Sequence, residues 1–109
     1  MLILLRNAVF LMLVLAFVEA CGGPEPIISH THTVEMKDMQ FQPSTLTVQK
    51  GDTVVFINND MVVHNVVEEN NAWTSGLLAA GENFKKVFTE SANYSCTMHP
   101  VMKGNILVE

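Results

Sequence analysis

From residue 31 onward, the apolar residues of this 109-residue chain fall in short runs or in alternation, never at the three-and-four spacing of an amphipathic helix. Gly, Asn and Asp cut these runs apart, which is the pattern of strands joined by turns. It predicts strands at 31–36, 46–49, 53–58, 62–67, 83–89, 93–96 and 105–108. The second shows the alternation plainly, with Thr45, Thr47 and Gln49 set against Leu46 and Val48 before Lys50-Gly-Asp52 turns the chain. The polar cluster Asn58-Asn-Asp60 separates the third strand from the fourth. Residues 69–81, containing Trp73, Leu77 and Leu78, fit either a short helix or a loop. About seven short strands in a chain with room for one domain predict an all-β sandwich.

The front of the chain has a different pattern. Residues 8–18 carry no charge, Arg6 precedes them, and the small residues Ala20, Gly22 and Gly23 follow. Such a run is too short to span a bilayer but has the length of a signal-peptide core. We therefore expect a signal peptide at 1–20, a Gly- and Pro-bearing tether at 21–30 and the folded domain at 31–109, in a protein exported to the periplasm or cell-envelope surface. Val18-Glu-Ala-Cys21 resembles a bacterial lipobox, in which Cys21 is lipidated and tethers the protein to a membrane. Ordinary cleavage near the same place is the alternative.

Composition narrows the function. The net charge of −5 argues against nucleic acid as a partner. Only two cysteines occur, Cys21 and Cys96, so Cys96 has no evident disulfide partner in the oxidising compartment that export implies. A metal would protect such a lone thiol.

The chemistry concentrates in Tyr94-Ser-Cys-Thr-Met-His-Pro-Val-Met-Lys-Gly104, where Cys96, His99 and Met102 follow one another at steps of three. One tight loop with that spacing can wrap a single ion. A thiolate, an imidazole and a thioether form a soft donor set that favours copper over magnesium or calcium. A trigonal copper plane needs a second imidazole, and His64, just beyond the Asn58-Asn-Asp60 turn, is placed to supply it. Two His and one Cys with a weak axial Met describe a blue-copper site.

With Phe41-Gln-Pro-Ser-Thr-Leu-Thr-Val-Gln-Lys-Gly-Asp-Thr-Val-Val-Phe-Ile-Asn-Asn-Asp60 and His64-Asn-Val66 added, residues 31–109 resemble the plastocyanin and amicyanin branch of the cupredoxins. The two residues between His99 and Met102 resemble the amicyanin ligand loop. The resemblance implies a Greek-key β-sandwich or barrel of seven or eight strands that binds one copper ion, cycling between Cu(I) and Cu(II). It implies His64, Cys96, His99 and Met102 as ligands, and Asn65 as the residue whose side chain ties the two ligand loops together and whose N–H is donated to the Cys96 sulfur. It further implies a monomeric, non-enzymatic electron carrier with a redox-protein donor and acceptor. His99 would be its electron port, framed by Met61, Val62, Met98, Pro100 and Val101. Met98 stands where amicyanins usually carry Pro and adds a second thioether beside the site.

A periplasmic copper chaperone or storage protein is the competing reading, drawing on Met36, Met39, Met61, Met98, His30 and His32 as further soft donors. His30 and His32 point the same way along an extended chain and can capture a metal near the tether, although edge residues without a function account for them as well. A paired-copper centre would need a second Cys beside Cys96, and the loop has none.

Overall fold

The computed structural model describes Gly23 and residues 26–109, so the expected signal peptide and the Cys21 lipidation site lie outside the described residues. Among the described residues no helix is long and apolar enough to cross a membrane. Eight strands form two four-stranded sheets. They are β1 (Thr31–Lys37), β2 (Gln40–Gln42), β3 (Thr45–Val48), β4 (Thr53–Asn58), β5 (Val67–Glu68), β6 (Asn83–Val87), β7 (Ala92–Ser95) and β8 (Lys103–Val108). One sheet runs in the order β2-β1-β4-β6 and the other β3-β8-β7-β5. The pairs β1–β4 and β3–β8 are parallel and the rest antiparallel. Parallel neighbours cannot be joined by a hairpin, so the chain crosses between the sheets, in keeping with the expected all-β sandwich.

Period-two alternation puts Val34 and Met36 of β1 and Val54 and Phe56 of β4 on one inner face, against Val48, Tyr94 and Ile106 of the other sheet. All seven are buried, and each of the six other than Tyr94 contributes roughly 1.5–3 kcal/mol through the apolar area it withdraws from water. Phe56 sits at the centre, edge-on to Tyr94 with ring centroids 5.2 Å apart and 6.3 Å from the Phe88 ring. The Tyr94 ring lies over Gly104, its β7–β8 partner. A Cβ there would stand 2.6 Å from three Tyr94 atoms, so the close approach requires glycine.

The structure departs from the sequence pattern in two places and takes one of the two expected forms in a third. The strand expected at 62–67 shrinks to Val67–Glu68. The fully buried Asn58 side chain donates to the carbonyls of Val62 (2.8 Å) and Leu78 (2.9 Å), which holds the chain after β4 as a loop and leaves Val62 and Val63 exposed. Residues 69–81 contain no helix; they are irregular and touch the preceding segment through the isolated bridges His64↔Leu78 and Val67↔Thr74. A strand absent from the expectation, β2, returns along β1 through a two-residue turn at Asp38 and Met39, with φ of 53° and 60°. Turns of this kind ordinarily recruit Asn-Gly or Asp-Gly, and neither pair occurs here.

Two ends of the sandwich follow from this topology. At one, β1 and β4 finish and the Cys96–Met102 loop joins β7 to β8. At the other lie His30, the Lys50-Gly51-Asp52 turn and Glu109, joined by Thr53 N–H to the His30 carbonyl (2.9 Å) and Lys50 N–H to the Glu109 carbonyl (3.3 Å).

Candidate metal centre

Cys96 immediately follows β7 and is fully buried as the loop begins. Two tight turns shape that loop: His99 N–H donates to the Cys96 carbonyl (3.3 Å) and Met102 N–H to the His99 carbonyl (2.9 Å). Cys96 N–H donates to the Met102 carbonyl (3.1 Å) and closes the loop at its foot. Step-three spacing therefore becomes a compact hairpin that presents Cys96 and Met102 to the interior and leaves His99 partly exposed at the rim.

The second segment arrives from β4. His64 is fully buried, bridged to Leu78 by a pair of backbone hydrogen bonds of 3.0 and 2.8 Å. Asn65 then joins the two segments: its Nδ2 donates to Thr97 Oγ1 (2.8 Å) and its Oδ1 accepts from Thr97 N–H (2.9 Å). This is the tie between ligand loops that the resemblance implied for Asn65.

The result is one cluster. Cys96 Sγ lies 3.8 Å from His64 Nδ1 and 3.7 Å from His99 Nδ1. The two imidazoles meet edge to face, with centroids 5.1 Å apart and planes at 76°. Among the described residues this trio is the one group of three potential metal ligands drawn from His, Cys, Asp and Glu. Separations of this size leave room for an ion bonded at about 2.0–2.3 Å to nitrogen and sulfur. With no carboxylate among the three, the donors are soft and suit copper. Met102, 1% exposed, completes the loop from inside, whereas Met98 is 42% exposed.

His64 has a partner that sequence reasoning missed. Its Nε2 lies 2.7 Å from Asp60 Oδ2. An ionised carboxylate only accepts, so the hydrogen sits on Nε2 and the Nδ1 lone pair faces the sulfur. Burial pushes the Asp60 carboxyl up, but the His64 ring and the Met39 and Asp38 N–H groups outweigh it and hold the group below the usual carboxylate range. The signal available in the sequence was the four-residue spacing of Asp60 and His64, which was read only as a turn.

The other histidine pair lies at the opposite end. His32 Nε2 donates to Asp52 Oδ2 (2.8 Å), and His30 reaches Asp52 Oδ1 through its backbone N–H (2.8 Å). Asp52, 1% exposed, also accepts from Gln49 N–H (3.0 Å). The His30 backbone and the His32 ring, with smaller help from Gln49, hold its carboxyl down at about 2 against the opposing effect of burial. The further soft donors that a storage protein would gather are likewise apart: Met36 is in the core and Met61 is 95% exposed.

A β-sandwich with a buried Cys–His–His cluster at one pole defines a mononuclear soft-metal protein. Residues 28–109 match the family described as copper binding proteins of the plastocyanin/azurin family. The chain belongs to that family, and copper is its metal. It is 32% identical over 83 residues to amicyanin from Paracoccus denitrificans, covering 70% of this chain and 63% of that one. Identity is 34% over 86 residues to the chloroplastic plastocyanin of Chlamydomonas reinhardtii, covering 65% and 59%. The chain thus spans roughly three-fifths of the length of these curated relatives. Among solved structures it superposes on a Met→Ala variant of amicyanin with Cu(I) at a TM-score of 0.68 and 28% identity, covering 72% of this chain and 82% of that one.

Proposed function

We propose that this cupredoxin carries single electrons between redox proteins of the cell envelope, through one copper ion that His64, Cys96, His99 and Met102 would hold. The carrying observation is the convergence of Cys96 Sγ with the Nδ1 atoms of His64 and His99 at 3.8 and 3.7 Å. When bound, copper supplies a Cu(II)/Cu(I) couple, and the chain supplies everything else. Cys96 gives a thiolate shielded from water and from disulfide exchange. Asn65 locks the two ligand segments to each other, so the same frame serves both oxidation states and little rearrangement opposes transfer. Burial favours Met102 over the half-exposed Met98 as the axial thioether.

Four protein donors leave no position for a substrate, which supports a carrier over an enzyme. His99, partly exposed, is the port. Met61 at 95% and Val101 at 87% exposure, with Val62, Met98 and Pro100, give its surroundings the apolar character of a docking surface for a donor and an acceptor protein. The uncharged run at 8–18 supports export, and Cys21 is the proposed point of attachment to a membrane. The experiment is the visible spectrum of the copper-loaded chain: an intense thiolate-to-copper charge-transfer band is expected, lost on reduction and absent from Cys96→Ser. A colourless oxidised protein, or one that keeps its colour without the Cys96 sulfur, would end this reading.

A further inference from the structure

Asp60 is held as firmly as any ligand, although it has no place in the donor set. Its Oδ2 accepts from His64 Nε2 (2.7 Å) and Met39 N–H (3.1 Å), and its Oδ1 accepts from Asp38 N–H (2.8 Å). Its own N–H donates to Asn58 Oδ1 (2.9 Å), and Asn58 is completely buried. Two stretches of chain thus meet at one carboxylate: the β1–β2 turn, through Asp38 and Met39, and the segment that runs on from β4 to His64.

The turn explains the firmness. Asp38 and Met39 both have left-handed backbone, which costs a non-glycine residue free energy, yet it aims two successive N–H groups into one concavity. Asp60 fills that concavity. The carboxylate cannot swing away from His64 without abandoning both N–H groups of a strained turn.

We propose that Asp60 is the positioning residue of the metal centre, fixing the His64 ring with Nδ1 toward Cys96 and stabilising the oxidised metal over the reduced one. This rests on the copper-carrier reading and adds to it a determinant of the reduction potential. A carboxylate hydrogen-bonded to the far nitrogen of a ligating imidazole orients the ring and makes the near nitrogen a stronger donor. Its negative charge also favours the more highly charged metal in a site screened from water. Among the described residues no carboxylate meets the His99 ring, so the two imidazoles differ: one is braced and electron-rich, the other is left to the surface.

The test compares Asp60→Asn and Asp60→Glu in the copper-loaded chain by redox titration. Asp60→Asn, which keeps an acceptor oxygen and removes the charge, is expected to shift the Cu(II):Cu(I) affinity ratio at least tenfold toward Cu(I). For a one-electron couple that is an upward shift of about 59 mV. Asp60→Glu, which keeps the charge, is expected to return within threefold of the parent. An Asn variant with parental potential, or a Glu variant that moves as far as the Asn one, overturns the assignment, because a purely structural residue would alter melting temperature alone. The parent supplies a readout that does not depend on either variant folding. In the diamagnetic Cu(I) state, nitrogen-15 NMR is expected to show a slowly exchanging His64 Nε2–H, and its absence also overturns the proposal. A parent without the blue band defeats the carrier reading itself. A blue parent with a potential indifferent to Asp60 defeats only this inference.

Discussion

The two poles of the sandwich each set a pair of histidines against one buried acidic side chain, and they use the arrangement in opposite ways. At the far pole the partner is the Asp52 carboxylate, which accepts three hydrogen bonds, from the His32 ring and the N–H groups of His30 and Gln49. At the metal pole the partner is the Cys96 sulfur, which faces two imidazole nitrogens across gaps of 3.7 and 3.8 Å. Hydrogen bonding engages the His32 ring with the carboxylate in the first cluster, whereas in the second the donor atoms face one another at separations that suit an ion. Histidines near an acidic group do not by themselves make a metal site; the imidazole nitrogens and the sulfur must face one another, as those of His64, His99 and Cys96 do.

The largest expected effect that would break this contrast concerns copper itself. With free copper at a thousand times its dissociation constant, the bound ion is expected to stabilise the fold by about 4 kcal/mol. Thermal melts with and without copper measure this, and Cys96→Ser is expected to abolish it while His32→Ala leaves it intact. Copper-dependent stabilisation lost with His32 would erase the distinction between the poles.

A smaller effect is expected at Asn65. Truncation to Ala removes both hydrogen bonds to the exposed Thr97, at a cost of roughly 0.5–1.5 kcal/mol apiece in denaturant unfolding of the metal-free chain. Copper affinity falls with it if the tie between the two segments pre-forms the site.

The smallest effect on the metal centre belongs to Asp52→Asn, which is expected to leave the visible band unmoved and to show itself in acid. Folding holds the Asp52 carboxyl at about 2, below its ordinary value of 3.8. The stabilisation is therefore fully present above pH 4 and disappears as pH falls through about 2. Replacing the carboxylate is expected to lower stability at neutral pH and to flatten its decline between about pH 4 and 2, followed by circular dichroism.

How much of this was legible in the sequence depends on how local the cause is. Residues 53–58 read as a strand with the bounds that β4 has, because alternation and β-branched residues decide such a segment alone. Val62 and Val63 carry the same local signal, yet Asn58 captures the Val62 carbonyl and the strand does not form there. The β1–β2 hairpin was invisible because the usual turn glycine is replaced by a distant carboxylate, Asp60, that stabilises Asp38 and Met39 through space. At the metal pole, Cys96, His99 and Met102 announced themselves by spacing within one loop. His64 was found only because a soft site lacked a second imidazole, and Asp60 was passed over because Asp38 and Met39, which hold it, lie in a distant stretch of chain.

The Thr53 hydrogen bond to the His30 carbonyl has a consequence for how the molecule is handled. It fixes the point where the N-terminal segment leaves the sandwich at the pole away from His99, with the six residues of β4, roughly 20 Å, in between. Mooring the protein by that segment leaves the business end facing outward.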